Sequence, residues 1–184
     1  MCSVRANTGS IYYAPFSSNH ILKINTNDGT VETLDDVELP ETGEAGDGLW
    51  ASGALAPDNN IYYMPYYARR IMQLNADNDT CSSVGDNLGG GYYKYKGTVV
   101  GNDDCMYGIP HGTRRIAKFD TTNPDTPSTV EAEAERRSER GNGVLGGDGY
   151  IYAANGVGQV LQIDSTHNNY MYLDRGSNLF RNRR

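Results

Sequence analysis

A short phrase recurs four times along this chain, and it limits the fold more than any other feature. Ile11-Tyr12-Tyr13-Ala14-Pro15 returns as Ile61-Tyr62-Tyr63-Met64-Pro65, then as Met106-Tyr107-Gly108-Ile109-Pro110, and more loosely as Ile151-Tyr152-Ala153-Ala154-Asn155. The copies start 50, 45 and 45 residues apart. A repeat of that length marks stacked supersecondary units, none of which can bury its apolar face alone.

Each copy extends well beyond its tyrosines. Upstream stand a short apolar strand and an acidic turn: Gly53-Ala54-Leu55-Ala56-Pro57-Asp58-Asn59-Asn60, Thr98-Val99-Val100-Gly101-Asn102-Asp103-Asp104 and Gly143-Val144-Leu145-Gly146-Gly147-Asp148-Gly149. Pro, Gly, Asn and Asp provide the backbone angles and local hydrogen bonds of tight hairpin turns. Downstream comes a loop and then a third strand: Ile21-Leu22-Lys23-Ile24-Asn25, Ile71-Met72-Gln73-Leu74-Asn75, Ile116-Ala117-Lys118-Phe119-Asp120 and Val160-Leu161-Gln162-Ile163-Asp164. Apolar–polar alternation closed by Asn or Asp is the pattern of a half-buried strand ending in a turn.

A fourth strand completes the unit, as Thr30-Val31-Glu32-Thr33-Leu34 in the first copy and Asn169-Tyr170-Met171-Tyr172-Leu173 in the last. In the third copy it is Thr129-Val130-Glu131-Ala132-Glu133-Ala134. Read with period two, Glu131, Glu133 and Glu135 share one face and Val130, Ala132 and Ala134 the other. Glu and Ala also favour helix, so a helical reading of this run stands beside the strand that the other copies require.

Four antiparallel strands in about 45 residues, repeated radially, make a β-propeller blade. The pattern of Gly and apolar residues, an acidic turn, Ile-Tyr-x-x-Pro and an aliphatic–Lys–aliphatic–Asp strand resembles the blades of NHL, kelch-like and streptogramin-lyase-like propellers, over residues 3 to 174. The resemblance implies an all-β fold of four four-stranded blades, near 3–36, 50–86, 95–135 and 141–174, in a single domain over 1–184. It does not imply an activity, because propellers host binding platforms and enzymes alike. A streptogramin-lyase-like activity would imply a His/Glu pair and a divalent metal at the channel mouth, and no stretch here matches that motif. The Gly-His and Trp-Asp marks of WD repeats are missing, and the lone Trp50 has no counterpart in the other copies.

The ends constrain the ring. The first strand (Ser3 to Ala6) and the last (Asn169 to Asp174) belong to separate whole blades, so a closed four-blade ring would be held shut by side-chain packing alone. The other arrangement is part of a larger ring, and the missing Gly-apolar opening of the first copy favours some truncation. The chain carries 14 Tyr against 3 Phe. Tyr12, Tyr62, Tyr107 and Tyr152 are expected to pack between blades, each hydroxyl finding a partner. A net charge of −7 argues against a nucleic-acid partner. No apolar run approaches a membrane span. Met1-Cys2-Ser3-Val4-Arg5 lacks a signal-peptide pattern. Cys2, Cys81 and Cys105, odd in number and without metal-ligand spacing, point to reduced thiols in a cytoplasmic setting.

Function is sought in the loops between second and third strands, which emerge on one face: Phe16 to His20, Tyr66 to Arg70, His111 to Arg115 and Gly156 to Gln159. They bring Tyr66, Tyr67, Arg69, Arg70, His111, Arg114, Arg115 and His20 toward one rim. An arginine-bearing rim on an acidic protein suits an anion or an acidic segment of a protein partner. The arginine pairs hold equivalent positions, so they also fit as brackets between blades, their stems covering apolar surface. The opposite face carries Asp28, Asp58, Asp77, Asp79, Asp103, Asp104 and Asp148 in its turns. Asp77-Asn78-Asp79 lacks the Gly and distal Glu of a calcium loop. His20, His111 and His167 fall at non-equivalent places, and nucleophile elbows, phosphate loops and Cys clusters are missing. No catalytic residue, cofactor or metal is expected. Gly89-Gly90-Gly91 reads as a linker between blades, the acidic connection from Asp35 to Gly48 as a solvated excursion or partner-contacting loop, and the tail from Arg175 to Arg184, with its basic end, as frayed. The expectation is a non-catalytic interaction module, with a metal-assisted hydrolase or lyase as the alternative and a larger assembly as a further arrangement.

Overall fold

The computed structural model describes residues 2–35, 38–41, 48–123, 128–130, 140–155, 158–167 and 169–173. Four sheets follow one another, each with its strands in chain order and every neighbour antiparallel. Blade 1 holds β1 (Ser3–Arg5), β2 (Ser10–Tyr13), β3 (Ile21–Asn25) and β4 (Val31–Leu34). Blade 2 holds β5 (Trp50–Leu55), β6 (Asn60–Pro65), β7 (Ile71–Asn75) and β8 (Thr80–Val84). Blade 3 holds β9 (Tyr95–Val100), β10 (Met106–Pro110), β11 (Ile116–Phe119) and β12 (Ser128–Val130). Blade 4 holds β13 (Arg140–Leu145), β14 (Tyr150–Asn155), β15 (Val160–Asp164) and β16 (Asn169–Leu173). The described residues contain no helix, and the start of the Glu/Ala run is strand, paired with β11. The rest of that run, loop residues 156 and 157, most of the acidic connection and the basic tail lie outside the described residues.

The period of two gives every blade two unlike faces. Register aligns Val4, Tyr12, Lys23 and Glu32 on one face of blade 1, and Arg5, Ile11, Ile24 and Val31 on the other. We call these the Tyr face and the Ile face. The first core packs the Tyr face of blade 1 (Val4, Tyr12, Ala14) on the Ile face of blade 2 (Ile61, Tyr63, Met72, Leu74). The second packs Tyr62 and Met64 of blade 2 on Met106, Ala117 and Phe119 of blade 3. The third packs Tyr107 and Ile109 of blade 3 on Ile151, Ala153, Leu161 and Ile163 of blade 4. Burial of each such side chain stabilises by roughly 1.5–3 kcal/mol before chain entropy is counted.

Glycine lets the innermost strands approach. A Cβ on Gly97 would lie 3.0 Å from both Asn142 Cα and the Gly143 nitrogen, so β9 and β13 meet nearly backbone to backbone. The innermost strands pack β1 on β5, β5 on β9 and β9 on β13. Among the described residues, no packing of similar extent joins β13 back to β1. Four blades therefore share three packed interfaces.

The turns below the sheets satisfy the repeated tyrosines. Tyr107 donates to Asp103 at 2.8 Å, Tyr62 to Asp58 at 2.5 Å and Tyr152 to Asp148 at 2.7 Å, each acid four residues upstream in the same blade. Blade 1 has Thr8 at that place, and Tyr12 donates instead to Asp79 of blade 2 at 2.7 Å. Lys23 Nζ reaches the same carboxylate at 2.6 Å, across the blade boundary. The acidic turns thus serve packing; Asp77-Asn78-Asp79 is an Asx-braced turn in which Asn78 holds Thr80.

Candidate functional site

The site begins with irregularities in the innermost strands. Between β5 and β6 the register skips Ala51, between β9 and β10 it skips Lys96, and between β13 and β14 it skips Gly141 and Asn142. Extra residues in one strand bend it and re-aim a side chain. Here Ala51, Lys96 and Asn142 line one cavity of about 570 Å³ together with Cys2, Ser3, Phe16 and Tyr66. Blades 1 to 4 contribute Ser3, Ala51, Lys96 and Asn142 respectively, so the cavity lies at the common axis.

Aromatic rings crowd the mouth of this cavity. Tyr66 lies 5.6 Å from Phe16, 5.4 Å from Tyr67, 5.3 Å from Tyr93 and 6.0 Å from His111, centroid to centroid. Tyr67 lies 5.0 Å from Tyr92 and 5.1 Å from Tyr93. Tyr66 is buried, but Tyr92 is 71% and Tyr93 49% exposed. Tyr93 also has a φ of 62°, a left-handed backbone that bulky residues rarely adopt. Such backbone is retained where surrounding structure holds it, often at a functional site.

The segment from Tyr92 to Tyr95 is tied between two loops. Lys94 N donates to Tyr66 O at 3.0 Å, His111 N to Lys94 O at 2.9 Å and Gly112 N to Tyr93 O at 2.5 Å. Lys94 is buried, and its ammonium donates to Gly91 O at 2.9 Å and Tyr67 O at 3.3 Å. Burial pulls its pKa down from 10.5 to about 8, against the pull of Glu41. Glu41 in turn accepts the backbone N–H groups of Arg69 and Arg70, both at 2.7 Å, so the acidic connection clamps the blade 2 loop. Gly48 lies against the Phe16 ring, which a Cβ there would meet at 2.5 Å and have to displace.

The eight residues singled out from the sequence divide into two groups. Tyr66, Tyr67 and His111 meet in the aromatic mouth. His20, Arg69, Arg70, Arg114 and Arg115 lie exposed along the loops. Arg70 donates to Gly85 O at 2.8 Å, bracing its own blade, and Arg115 N bonds the Thr113 hydroxyl. His20 faces Asp35 at 3.3 Å and His167 faces Asp164 at 2.8 Å, both on the surface, so two histidines do meet a carboxylate that their motifs did not announce. Among the described residues, no three His, Cys, Asp or Glu side chains could together hold a metal ion. Phe16 was placed in its loop but not singled out, and sequence reasoning missed Tyr92, Tyr93, Lys94 and Lys96. Their signal was the dense Tyr92-Tyr93-Lys94-Tyr95-Lys96 run behind a glycine linker.

Among the described residues, sixteen strands in four radial four-stranded sheets, stacked Tyr face on Ile face about a shared cavity, define a β-propeller. No protein-family model matches the chain, and no curated protein does. Among solved structures it resembles a catalytically inactive variant of virginiamycin B lyase from Staphylococcus aureus with quinupristin, at TM-score 0.77 and 14% identity over 97% of this chain and 56% of that one. It also resembles a streptogramin B lyase at TM-score 0.73 and 17% identity, over 96% and 54% of the two chains. Hydrazine synthase of Kuenenia stuttgartiensis follows at 0.66 and 13%, over 96% and 50%. At such identities the likeness is one of fold. The chain spans about half the length of these propellers. No helix among the described residues is long and apolar enough to cross a membrane.

Proposed function

We propose that this propeller is a non-catalytic binding module whose axial mouth takes an acidic protein segment carrying an aromatic or otherwise apolar side chain. The reading is carried by one observation: the exposed Tyr92 and Tyr93 pack on Tyr67 and Tyr66, and Tyr66 lines a cavity together with Phe16 and Lys96. Rings offer large contact area at little conformational cost, and Lys96 with the neighbouring arginines attracts carboxylates. A reducing, cytoplasmic setting belongs to the same proposal; it is supported by the free thiols of Cys2, Cys81 and Cys105.

The test is calorimetric titration with short acidic peptides that carry one Phe, against isosteric Gln/Asn controls. Binding of the acidic peptide, weakened by added salt and lost in a Tyr66→Ala/Tyr93→Ala variant that still folds, supports the reading. Equal affinity for acidic and neutral peptides, or unchanged binding by the variant, sinks it. Metal analysis of the purified protein checks the chemistry: a stoichiometric divalent ion that EDTA strips would instead favour a metal-assisted lyase or hydrolase.

A further inference from the structure

The blades stack with a polarity, and that polarity leaves two unlike faces over. Among the described residues, blade 1 has no neighbour packed on its Ile face, and blade 4 none on its Tyr face. The exposed side chains record this. Val144 is 63% exposed, whereas Val4 and Val99 at the same place in blades 1 and 3 are both 8%. Ala154 is exposed where Ala14, Met64 and Ile109 are buried. Val31 is 61% exposed on the Ile face of blade 1, and Ile11, Tyr13, Leu22 and Ile24 around it are only partly buried. Their counterparts in blade 2, Ile61, Tyr63, Met72 and Leu74, are fully buried.

These two faces are the halves of the interface that recurs three times inside the chain. We propose that two copies of this chain close a single ring, blade 4 of each packing its Tyr face on the Ile face of blade 1 of the other. The ring would hold eight blades, within the roughly four to eight that propellers commonly contain. The contact is head-to-tail, and two such contacts close because the rotation that relates the copies is two-fold.

The turn chemistry fits this junction. Tyr12 lies 3.3 Å from Ala76 O and Tyr107 3.4 Å from Ser165 O, in each case the residue after the Asn or Asp that ends the next blade's third strand. Thr26 holds that place in blade 1, and its hydroxyl bonds Gly9 O as Ser165 bonds Gly149 O. Thr26 O of the second copy is therefore where Tyr152 would reach. The next blade supplies an acid, Asp79, to Tyr12, whose own blade carries Thr8 in place of one. Blade 4 has its own Asp148, and blade 1 offers Gly29 at the Asp79 position; both residues are left-handed, with φ of 76° and 55°. The junction thus needs no acid from blade 1 at that position, and Gly29 supplies none.

Sedimentation equilibrium of the 184-residue chain tests this. The expected species is twice 20.2 kDa at micromolar concentration. Val144→Asp and Val31→Asp each bury an unpaired carboxylate in both junctions, and each should weaken association by at least roughly tenfold. Mixing the two variants in equal amounts should restore a two-chain species, because one junction then joins an unaltered blade 4 to an unaltered blade 1. Restoration also shows that both variants fold. A native chain that remains at 20.2 kDa up to its solubility limit overturns the proposal, as would a dimer that persists in either variant alone. Failure of the mixture to associate overturns the head-to-tail geometry.

Discussion

The tyrosines of this molecule fall into two regions that use the same side chain for opposite ends. Along the blade interiors, Tyr12, Tyr62 and Tyr107 recur at matching positions, are fully buried, and hand their hydroxyls to carboxylates. At the mouth, Tyr66 shares its place after the repeated proline with Phe16 and His111, whereas Tyr67, Tyr92 and Tyr93 have no tyrosine at matching positions; Tyr92 and Tyr93 face solvent, and the four rings meet one another. Repetition of the tyrosine accompanies packing here, and the two exposed rings lie outside the repeat. The distinction extends to charge. Lys118 sits in the repeat, 2.7 Å from Asp103 and over the Tyr107 ring, whereas Lys94 and Lys96 belong to the irregular segment.

The widest separation between the regions should appear on truncation. Tyr107→Ala is expected to cost about 3–5 kcal/mol of stability by urea unfolding, and Tyr92→Ala within about 0.5 kcal/mol. Comparable costs would erase the distinction.

Removing a carboxylate from the interior should have the next largest effect. Burial raises the Asp103 pKa, but hydrogen bonds from Lys118 and Tyr107 outweigh it and hold the carboxyl below its ordinary 3.8. The stability it contributes is therefore fully present above pH 3.8 and lost as pH falls through the lower folded value. Asp103→Asn should cost about 1–3 kcal/mol at pH 7 and show a shallower loss of urea midpoint on acidification.

At the mouth the sign reverses. The Lys94 ammonium is disfavoured by burial, so between about pH 8 and 10.5 the unfolded chain holds a proton that the folded chain has released. Folded stability should rise with pH in that window, while the clasp on Gly91 O and Tyr67 O weakens and acidic-peptide affinity falls. Lys94→Met should abolish both trends in parallel titrations of urea midpoint and binding. The smallest effect is expected at Tyr93, where Asn tolerates left-handed backbone: Tyr93→Asn should leave stability unchanged or raise it by about 1 kcal/mol while weakening peptide binding.

The fold was legible because its signals repeat. Period-two alternation gave the strands, a 45-residue spacing gave the blades, and the position of Tyr107 four residues after Asp103 hid a hydrogen bond in plain sequence. The handing of Asp79 to Tyr12 was not legible, since it replaces a missing local partner across 67 residues of chain. Much of the mouth escaped for a related reason. Tyr92 and Tyr93 follow three glycines in a connection with no counterpart in other blades, and only the bulge at Lys96 and the loop bonds through Lys94 bring them to the axis. The arginine pairs stood out by their equivalence, which is also what a bracketing role would produce.

Hydrogen–deuterium exchange with and without the acidic Phe-bearing peptide compares both regions in one measurement. Added protection at residues 66–67 and 89–95, with 61–65 and 106–110 slow to exchange in either state, is the expected result. Protection appearing at the acidic turns 101–104 and 146–149, or none at the mouth, would contradict the separation of binding tyrosines from structural ones.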